Sequence, residues 1–392
     1  MIQISIIIPV YNNVTYLREC LTCLTSQTFT EFEVLCIDDA SENKKTVRIL
    51  QEYAEMDNRF KVIENVANLG AGATRNLGIE KSEGKYLLFL DSDDLFENTM
   101  LEELYIQAEM QCADIVFTEY DNHMQVNTQV EIQEPYLKRY YNEPFSLKDL
   151  SSTGLMEWID TPWNKMFRKS FIVDNGIHFQ EIESSNDAYF HVISMMLAHR
   201  MTHVRTARRL VHYRINIEGQ ISSNRDPMCA FQALEKIYEE MRKRNIWERY
   251  LIYYYLYTFS INLSALKRSK AEHREEYYLF LRREGFHRLG ISAQVLEDIG
   301  DEYAFWCLNL YRKFYTYEYE SQWYVKENVF QARLKMNRQK LNKFFDEISS
   351  GRKKVVLWGA GLFSEFILEF ALECNWIINY VVDSDCKKWE TM

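Results

Sequence analysis

Tyr86-Leu87-Leu88-Phe89-Leu90-Asp91-Ser92-Asp93-Asp94 is the stretch that decides the fold. A short, fully apolar run of strand formers ends in three carboxylates. Buried strands of parallel sheets read as continuous hydrophobic runs of this kind. Open α/β sheets bind ligands outside the carboxyl ends of such strands. Three acids in one turn repel one another, so the cluster is costly unless a cation or a polar ligand sits there. Hard divalent cations such as Mg²⁺ or Mn²⁺ take carboxylate oxygens, with substrate phosphates completing their shell. The competing reading is an acidic turn in which Asp94 caps a helix beginning at Leu95.

Working outward, the same pattern recurs. Residues 2–10 form an apolar strand closed by Pro9 and followed by Tyr11-Asn12-Asn13. Residues 14–27 carry Leu17, Cys20, Leu21 and Leu24 at helical spacing. A second buried strand, 32–37, ends in Asp38-Asp39-Ala40-Ser41. A helix over 45–56 and a strand over 60–64 come next. The loop Asn68-Leu69-Gly70-Ala71-Gly72 then opens a helix over 73–81. After the acidic strand the pattern predicts a helix over 95–112 and a strand over 114–119. Strands alternating with helices of this length predict a doubly wound, mostly parallel sheet. Acids at the ends of two strands suit a nucleotide pocket. The dinucleotide fingerprint GxGxxG is absent after the first strand, and no GxxxxGK[ST] occurs.

Composition narrows the class. With 47% hydrophobic and 26% charged residues the chain is globular, and 392 residues allow two or three domains. A formal charge of -11 argues against general nucleic-acid affinity. The eight cysteines form no disulfide framework. Cys20 and Cys23 make one CxxC inside a helical pattern, which reads as buried thiols. The first strand begins next to Met1, so no signal peptide is expected, and no apolar run reaches the roughly 20 residues of a membrane span. The expected compartment is the cytoplasm, where the sequons at Asn13 and Asn262 have no role.

The residues Ser5-Ile6-Ile7-Ile8-Pro9-Val10-Tyr11-Asn12, Ile37-Asp38-Asp39-Ala40-Ser41, Asn68-Leu69-Gly70-Ala71-Gly72-Ala73-Thr74-Arg75-Asn76-Leu77-Gly78 and Asp91-Ser92-Asp93-Asp94 carry a resemblance. In order and spacing they are similar to the successive motifs of the inverting family-two glycosyltransferases. The resemblance covers residues 2–225 and implies the Rossmann-like glycosyltransferase A fold. It implies that Pro9, Tyr11 and Asp39 hold uridine, that Asn68 and Arg75 line the donor pocket, and that Asp91-Ser92-Asp93 binds the ribose and the diphosphate metal. Asp93 would be the ligand of that Mn²⁺ or Mg²⁺. Each residue also has a plainer reading. Tyr11 can pack at a strand end, Asn68 suits a turn before Gly70, and Arg75 can be a helix-surface cation.

Ser184-Ser185-Asn186-Asp187 resembles the family's second acidic motif, a Glu-Asp pair before a helix, with Asn186 in place of the Glu. The resemblance implies that Asp187 is the catalytic base. The alternative makes it the N-cap of a helix over 188–199. Lys165, Asn186, His212 and Arg214 are candidate diphosphate or acceptor contacts, for which structural roles serve equally well.

The expected organisation is a catalytic domain over 1–225, a helical accessory domain over 226–350 and a partial Rossmann-like βαβ unit over 351–392. The tyrosine-rich run 250–266 reads as the core helix of the accessory domain. Lys267-Arg268 and the cations of 333–343 read as solvated faces, with attachment to an anionic membrane surface as a minority reading. In the last unit Gly359-Ala360-Gly361 comes after a strand, but Ser364 stands at the third glycine position.

The expected function is an inverting transfer of a sugar from a UDP-sugar to a hydroxyl acceptor, a saccharide or lipid-linked saccharide, in surface polysaccharide or glycoconjugate synthesis. A non-catalytic nucleotide-sugar-binding module would keep Asp39 and Asp93 and need no base. A nucleotidyltransferase would use the same acids and release pyrophosphate.

Overall fold

The structure is a computed structural model. It describes residues 1–123, 143–150, 160–204, 206, 208–215, 217, 226–300, 302–321 and 324, with the backbone of 356–358 and 380–382. The chain falls into two compact units, Met1–Glu320 and Ser321–Met392.

The first unit is built on the predicted alternation. β1 (Ile4–Val10), β2 (Phe32–Asp38), β3 (Phe60–Glu64) and β4 (Tyr86–Phe89) are joined by α1 (Leu17–Thr25), α2 (Lys44–Met56) and α3 (Gly70–Lys81). Every residue of β2 and of β4 is buried, as continuous apolar runs require. Next come β5 (Leu95–Phe96), α4 (Met100–Gln111), β6 (Ile115–Phe117), β7 (Tyr120–His123), β8 (Lys165–Arg168), α5 (Lys169–Asp174), α6 (Asn186–Leu197), β9 (Met201–His203) and β10 (Val211–Arg214). The seven-stranded sheet runs β3-β2-β1-β4-β8-β6-β9. It is parallel except for β8, which lies antiparallel to both β4 and β6. Strand order reverses between β1 and β4. The crevice beyond their carboxyl ends is therefore where a ligand belongs.

Two boundaries differ from the sequence reading. The helix expected from Leu95 begins at Met100, because Leu95 and Phe96 pair antiparallel with His212 and Val211 in a small sheet of order β5-β10-β7. Asp94 consequently caps no helix. The helix expected from Ala73 begins at Gly70, whose φ of 83° suits a residue without a Cβ. At Gly72 a Cβ would stand 2.0 Å from the carbonyl oxygen of Gln180, so this helix start closes onto the segment leading to α6.

α7 (Pro227–Lys243) packs on α6, and α8 (Trp247–Arg268) packs on α7, with α9 (Ala271–Phe280) after them. Tyr253, Tyr254, Tyr255 and Tyr257 of α8 place their hydroxyls on acceptors, as tyrosines in a core do. Tyr255 donates to the carbonyl of Gly290 at 3.0 Å. Tyr253 donates to the carbonyls of Leu147 (3.0 Å) and Leu150 (3.1 Å), and Tyr257 to Asp160 Oδ2 at 3.0 Å. The last two tyrosines tie the helical layer to the loops beside the sheet.

In the second unit β11 (Val356–Trp358) pairs in parallel with β12 (Tyr380–Val382), the two strands expected of a βαβ unit. The turn Gly359–Gly361, the helix expected after it and the cations of 333–343 lie outside the described residues. Among the described residues no helix is long and apolar enough to cross a membrane.

Candidate active site

β4 delivers Asp91, Asp93 and Asp94 to the crevice, with one carboxylate oxygen of each within 4.8 Å of the others. The turn is braced from several sides. Asn13 Nδ2 donates to the carbonyl and to the hydroxyl of Ser92, both at 3.0 Å. The backbone N–H of Arg214 donates to Asp94 Oδ1 at 2.9 Å. The Arg214 guanidinium donates to the Asp93 carbonyl, pairs with Glu19 and lies 4.8 Å from the ring centre of Tyr16. Burial, and then the charge of Asp91, push the Asp93 carboxyl up to about 6. Burial and the charges of Asp93 and Asp91 hold Asp94 well above the carboxylate range. Asp94 Oδ2 is buried and has no hydrogen-bond partner among the described residues. Crowded carboxylates that resist ionisation, together with an orphaned buried oxygen, fit a hard divalent cation.

Arg75 joins this turn to the start of α6. It lies on α3, buried, and donates to Asp91 Oδ1 at 2.8 Å and to Asn186 Oδ1 at 2.9 Å. Its guanidinium carbon stands 5.3 Å from the centre of the Phe179 ring. The next residue, Asn76, clasps the backbone of Phe179 from both sides, Nδ2 to the carbonyl at 2.9 Å and Oδ1 from the N–H at 2.8 Å. Asn186 is the first residue of α6, with Ser185 at the N-cap position at a φ of 58°. Asp187 therefore lies inside the first turn and is not the cap. A carboxylate there is stabilised by the helix dipole.

On the other side of β1, the buried Asp39 accepts from Asn65 Nδ2 (2.7 Å) and the N–H of Leu69 (2.9 Å) on Oδ1, and from the N–H of Gly70 (2.8 Å) on Oδ2. A carboxylate offers about four acceptor sites, so one remains, on Oδ2. Asn68 is exposed and accepts from Gly70 N–H at 3.2 Å, the turn role its spacing allowed. Pro9 lies within β1 opposite Ile37, and Tyr11, 47% exposed, is free to stack on a ligand.

The structure separates the remaining candidates. Lys165 is buried, donating to the Thr161 carbonyl (2.7 Å) and Asn164 Oδ1 (2.8 Å). Burial brings its amine down to about 7, against the opposing pull of Asp160 and Asp187. His212 is held between Asp121 (2.8 Å) and Glu97 (3.0 Å), and those two hydrogen bonds raise its imidazole above the ordinary value. Both its ring nitrogens are thus engaged. Arg214 supports the acid turn from behind. Sequence reasoning passed over Asn13, Glu19 and His191. The last lies buried on α6 with neither ring nitrogen partnered among the described residues, its basicity suppressed by burial and by Lys165. No local pattern marked Asn13 and Glu19, since their partners Ser92 and Arg214 lie far away in the chain.

The family model described as "Glycosyl transferase family 2" matches residues 5–175. Residues 5–175 thus resemble a family 2 glycosyltransferase domain. The chain is similar to the Bacillus subtilis (strain 168) protein EpsH, 33% identical over 221 residues, which are 55% of this chain and 62% of that one. The glycosyltransferase GlyG of Streptococcus pneumoniae serotype 4 is 34% identical over 120 residues, 31% of this chain and 40% of its own. Poly(ribitol-phosphate) beta-N-acetylglucosaminyltransferase TarS of Staphylococcus aureus (strain MW2) is 28% identical over 246 residues, 62% of this chain and 40% of TarS. The chain thus spans less than two thirds of the length of these relatives. The crystal structure of S. aureus TarS 1-349 in complex with UDP-GlcNAc superposes with a TM-score of 0.58 at 22% identity, covering 80% of this chain and 90% of that one. The glycosyltransferase domain therefore has the glycosyltransferase A fold, and the likeness extends into the helical layer.

Proposed function

We propose that this chain transfers a sugar from a UDP-sugar to a hydroxyl acceptor with inversion at the anomeric carbon. The observation that carries the reading is Arg75, which holds Asp91 at one end and Asn186 at the other. It fixes the donor end of the crevice against the helix turn that presents Asp187. Pro9, Tyr11 and Asp39, with Asn68 at the rim, would seat the uridine. The free acceptor site on Asp39 Oδ2 suits the imide N–H of uracil, a donor that adenine does not offer in the same place. The ribose and diphosphate would lie along Asp91, Ser92 and Asp93, with Asp93 as the metal ligand.

Asp187 would accept the proton of the attacking hydroxyl. The acceptor oxygen forms a bond to the anomeric carbon from the face opposite the diphosphate. The bond from that carbon to the phosphate oxygen breaks, and UDP leaves with its electron pair. A divalent cation held by Asp93 and its neighbours would neutralise charge developing on the departing diphosphate. Arg75 and Arg214, already committed to the acid turn, keep its carboxylates in place while that charge develops. One carboxylate suffices, unlike the acid pair of glycosidases.

The bound UDP-GlcNAc of the TarS structure supports a UDP-linked donor. The poly(ribitol-phosphate) in the name of TarS supports a hydroxyl-bearing polymer as acceptor. Calorimetric titration with UDP and ADP, then a screen of UDP-sugars for hydrolysis, tests the reading. UDP should bind and ADP should fail to compete. Equal competition by ADP would remove Asp39 from uracil recognition, and a chain that hydrolyses no UDP-sugar would lose the donor assignment.

A further inference from the structure

Behind the acid turn, β10 carries a histidine whose two ring nitrogens both face carboxylates. His212 Nδ1 lies 2.8 Å from Asp121 Oδ1 of β7, and Nε2 lies 3.0 Å from Glu97 Oε1, just beyond β5. An ionised carboxylate only accepts, so both bonds form together only when both nitrogens carry a proton. A neutral imidazole has one N–H and must turn a lone pair towards one of the acids. Asp121 and Glu97 are the charged groups that face this ring among the described residues, and their hydrogen bonds and charges favour the imidazolium against its partial burial. We propose that His212 is a positioning residue: its imidazolium clamps β10 to the strands on either side, and loss of its proton loosens the acid turn and weakens the Mg²⁺-dependent binding of UDP. What the turn binds rests on the donor reading above.

The route from the ring to the turn is short. The acid turn runs straight into Leu95 and Phe96, the whole of β5, which pair with His212 and Val211. So short a ladder is marginal by itself, and the links around it decide how firmly the turn is held. Two more cross the same pair of strands. The Glu97 N–H donates to the Leu210 carbonyl at 3.0 Å, and the His212 ring donates to the Glu97 carboxylate. On the far side His212 stands in register with Asp121, so its second bond fixes β10 on β7. The strand ends at Arg214, which gives its N–H to Asp94 Oδ1 and its guanidinium to the Asp93 carbonyl. A shift of β10 at His212 therefore reaches both acids through one short strand. The protonated ring has no lone pair left for a cation, so its part in the site is to hold β10 and not to ligate.

The test compares the full chain with His212→Lys, which keeps its charge to about pH 10, and with His212→Gln, which has none. Calorimetry with UDP and Mg²⁺ at about pH 6.5 and about pH 9 reads the dissociation constants as ratios between proteins, in which titrations common to all three cancel. From the lower pH to the higher, the constant of the wild type relative to His212→Lys should rise at least about fivefold. His212→Gln should bind at least about fivefold more weakly than the wild type at the lower pH and within about twofold of it at the higher. Should one variant fail to fold, the other still gives its ratio. Nitrogen-15 histidine spectra, with His212 assigned by its absence from a variant, should show both ring nitrogens protonated at about pH 7 and a midpoint above the ordinary value of about 6.5. A neutral ring at about pH 7, or ratios that do not change with pH, would overturn the proposal. A merely structural histidine would give constant ratios. Failure of the donor reading would look different: the wild type would bind no UDP at either pH, and Mn²⁺ alone, followed by water relaxation, would then supply the same ratios.

Discussion

The two ends of Arg75 make opposite use of carboxylates. At Asp91, Asp93 and Asp94 three acids crowd one turn, and burial with mutual repulsion lifts Asp93 to about 6 and raises Asp94 well above the carboxylate range. At the start of α6 the position before Asp187 is an amide, Asn186, whose oxygen receives Arg75 without adding a charge. The first end is unstable as bare anions and suits a cation and a diphosphate. The second leaves one carboxylate in the first turn of a helix. Three crowded carboxylates and one first-turn carboxylate sit on either side of one guanidinium, which divides the labour of the proposed reaction.

The largest expected effect breaks the Asp187 end. Asp187→Asn preserves shape and removes the proton acceptor, so transfer should fall by about 10²-fold or more, the scale of general-base loss. UDP affinity should hardly change, because the substitution leaves the acid turn intact. Kinetics and UDP titration on one preparation check this, and wild-type turnover would reopen the search for the base.

The next effect breaks the crowded end. Asp93→Ala should remove most of the dependence of UDP binding on Mg²⁺ or Mn²⁺. Calorimetry with cation and with excess chelator reads it directly. If wild-type UDP affinity were the same in chelator, the cation would have no place in this turn.

The smallest effect sharpens the comparison through Lys165, on whose amine the charge of Asp187 acts. Its folded value is near 7, and in the unfolded chain it stays protonated up to about 10.4. Between those values the unfolded state binds more protons, so this group makes the wild type more stable as pH rises from about 7 towards 10. Thermal melts of wild type and Lys165→Met should therefore differ by an amount that changes across that range, with the wild type gaining. A difference independent of pH would mean that Lys165 stays charged when buried.

Much of this was legible before any coordinates. The runs in β1, β2 and β4 could only be buried strands, and acids at their ends pointed to one crevice. The features that escaped reading depend on partners distant in sequence. Leu95 and Phe96 form a two-residue strand, too short for any period, and only β10 makes them one. Arg214 is a candidate ligand contact through the resemblance, with a structural role equally open. Its partners, Glu19 and the Asp93 carbonyl, appear only when β10 is laid beside the acid turn. The partners of His212, Asp121 and Glu97, are likewise not its neighbours in the chain. Gly70 and Gly72 read as loop residues because glycine weakens helices. Here they belong to α3, and Gly72 is small because the Gln180 carbonyl lies where its side chain would be.

That contact has a consequence for anyone dividing or recombining the protein. The family match ends at residue 175, which makes a tempting seam for a chimera. Yet Gly72 lies against Gln180, Asn76 clasps Phe179, and Arg75 grips Asn186. One face of α3 and the segment 179–186 are thus a mould and its casting. A graft cut at 175 would pair a foreign casting with this mould, and the first turn of α6 would be the part set out of true. The smallest exchangeable piece runs past Asp187 and carries α6 with it.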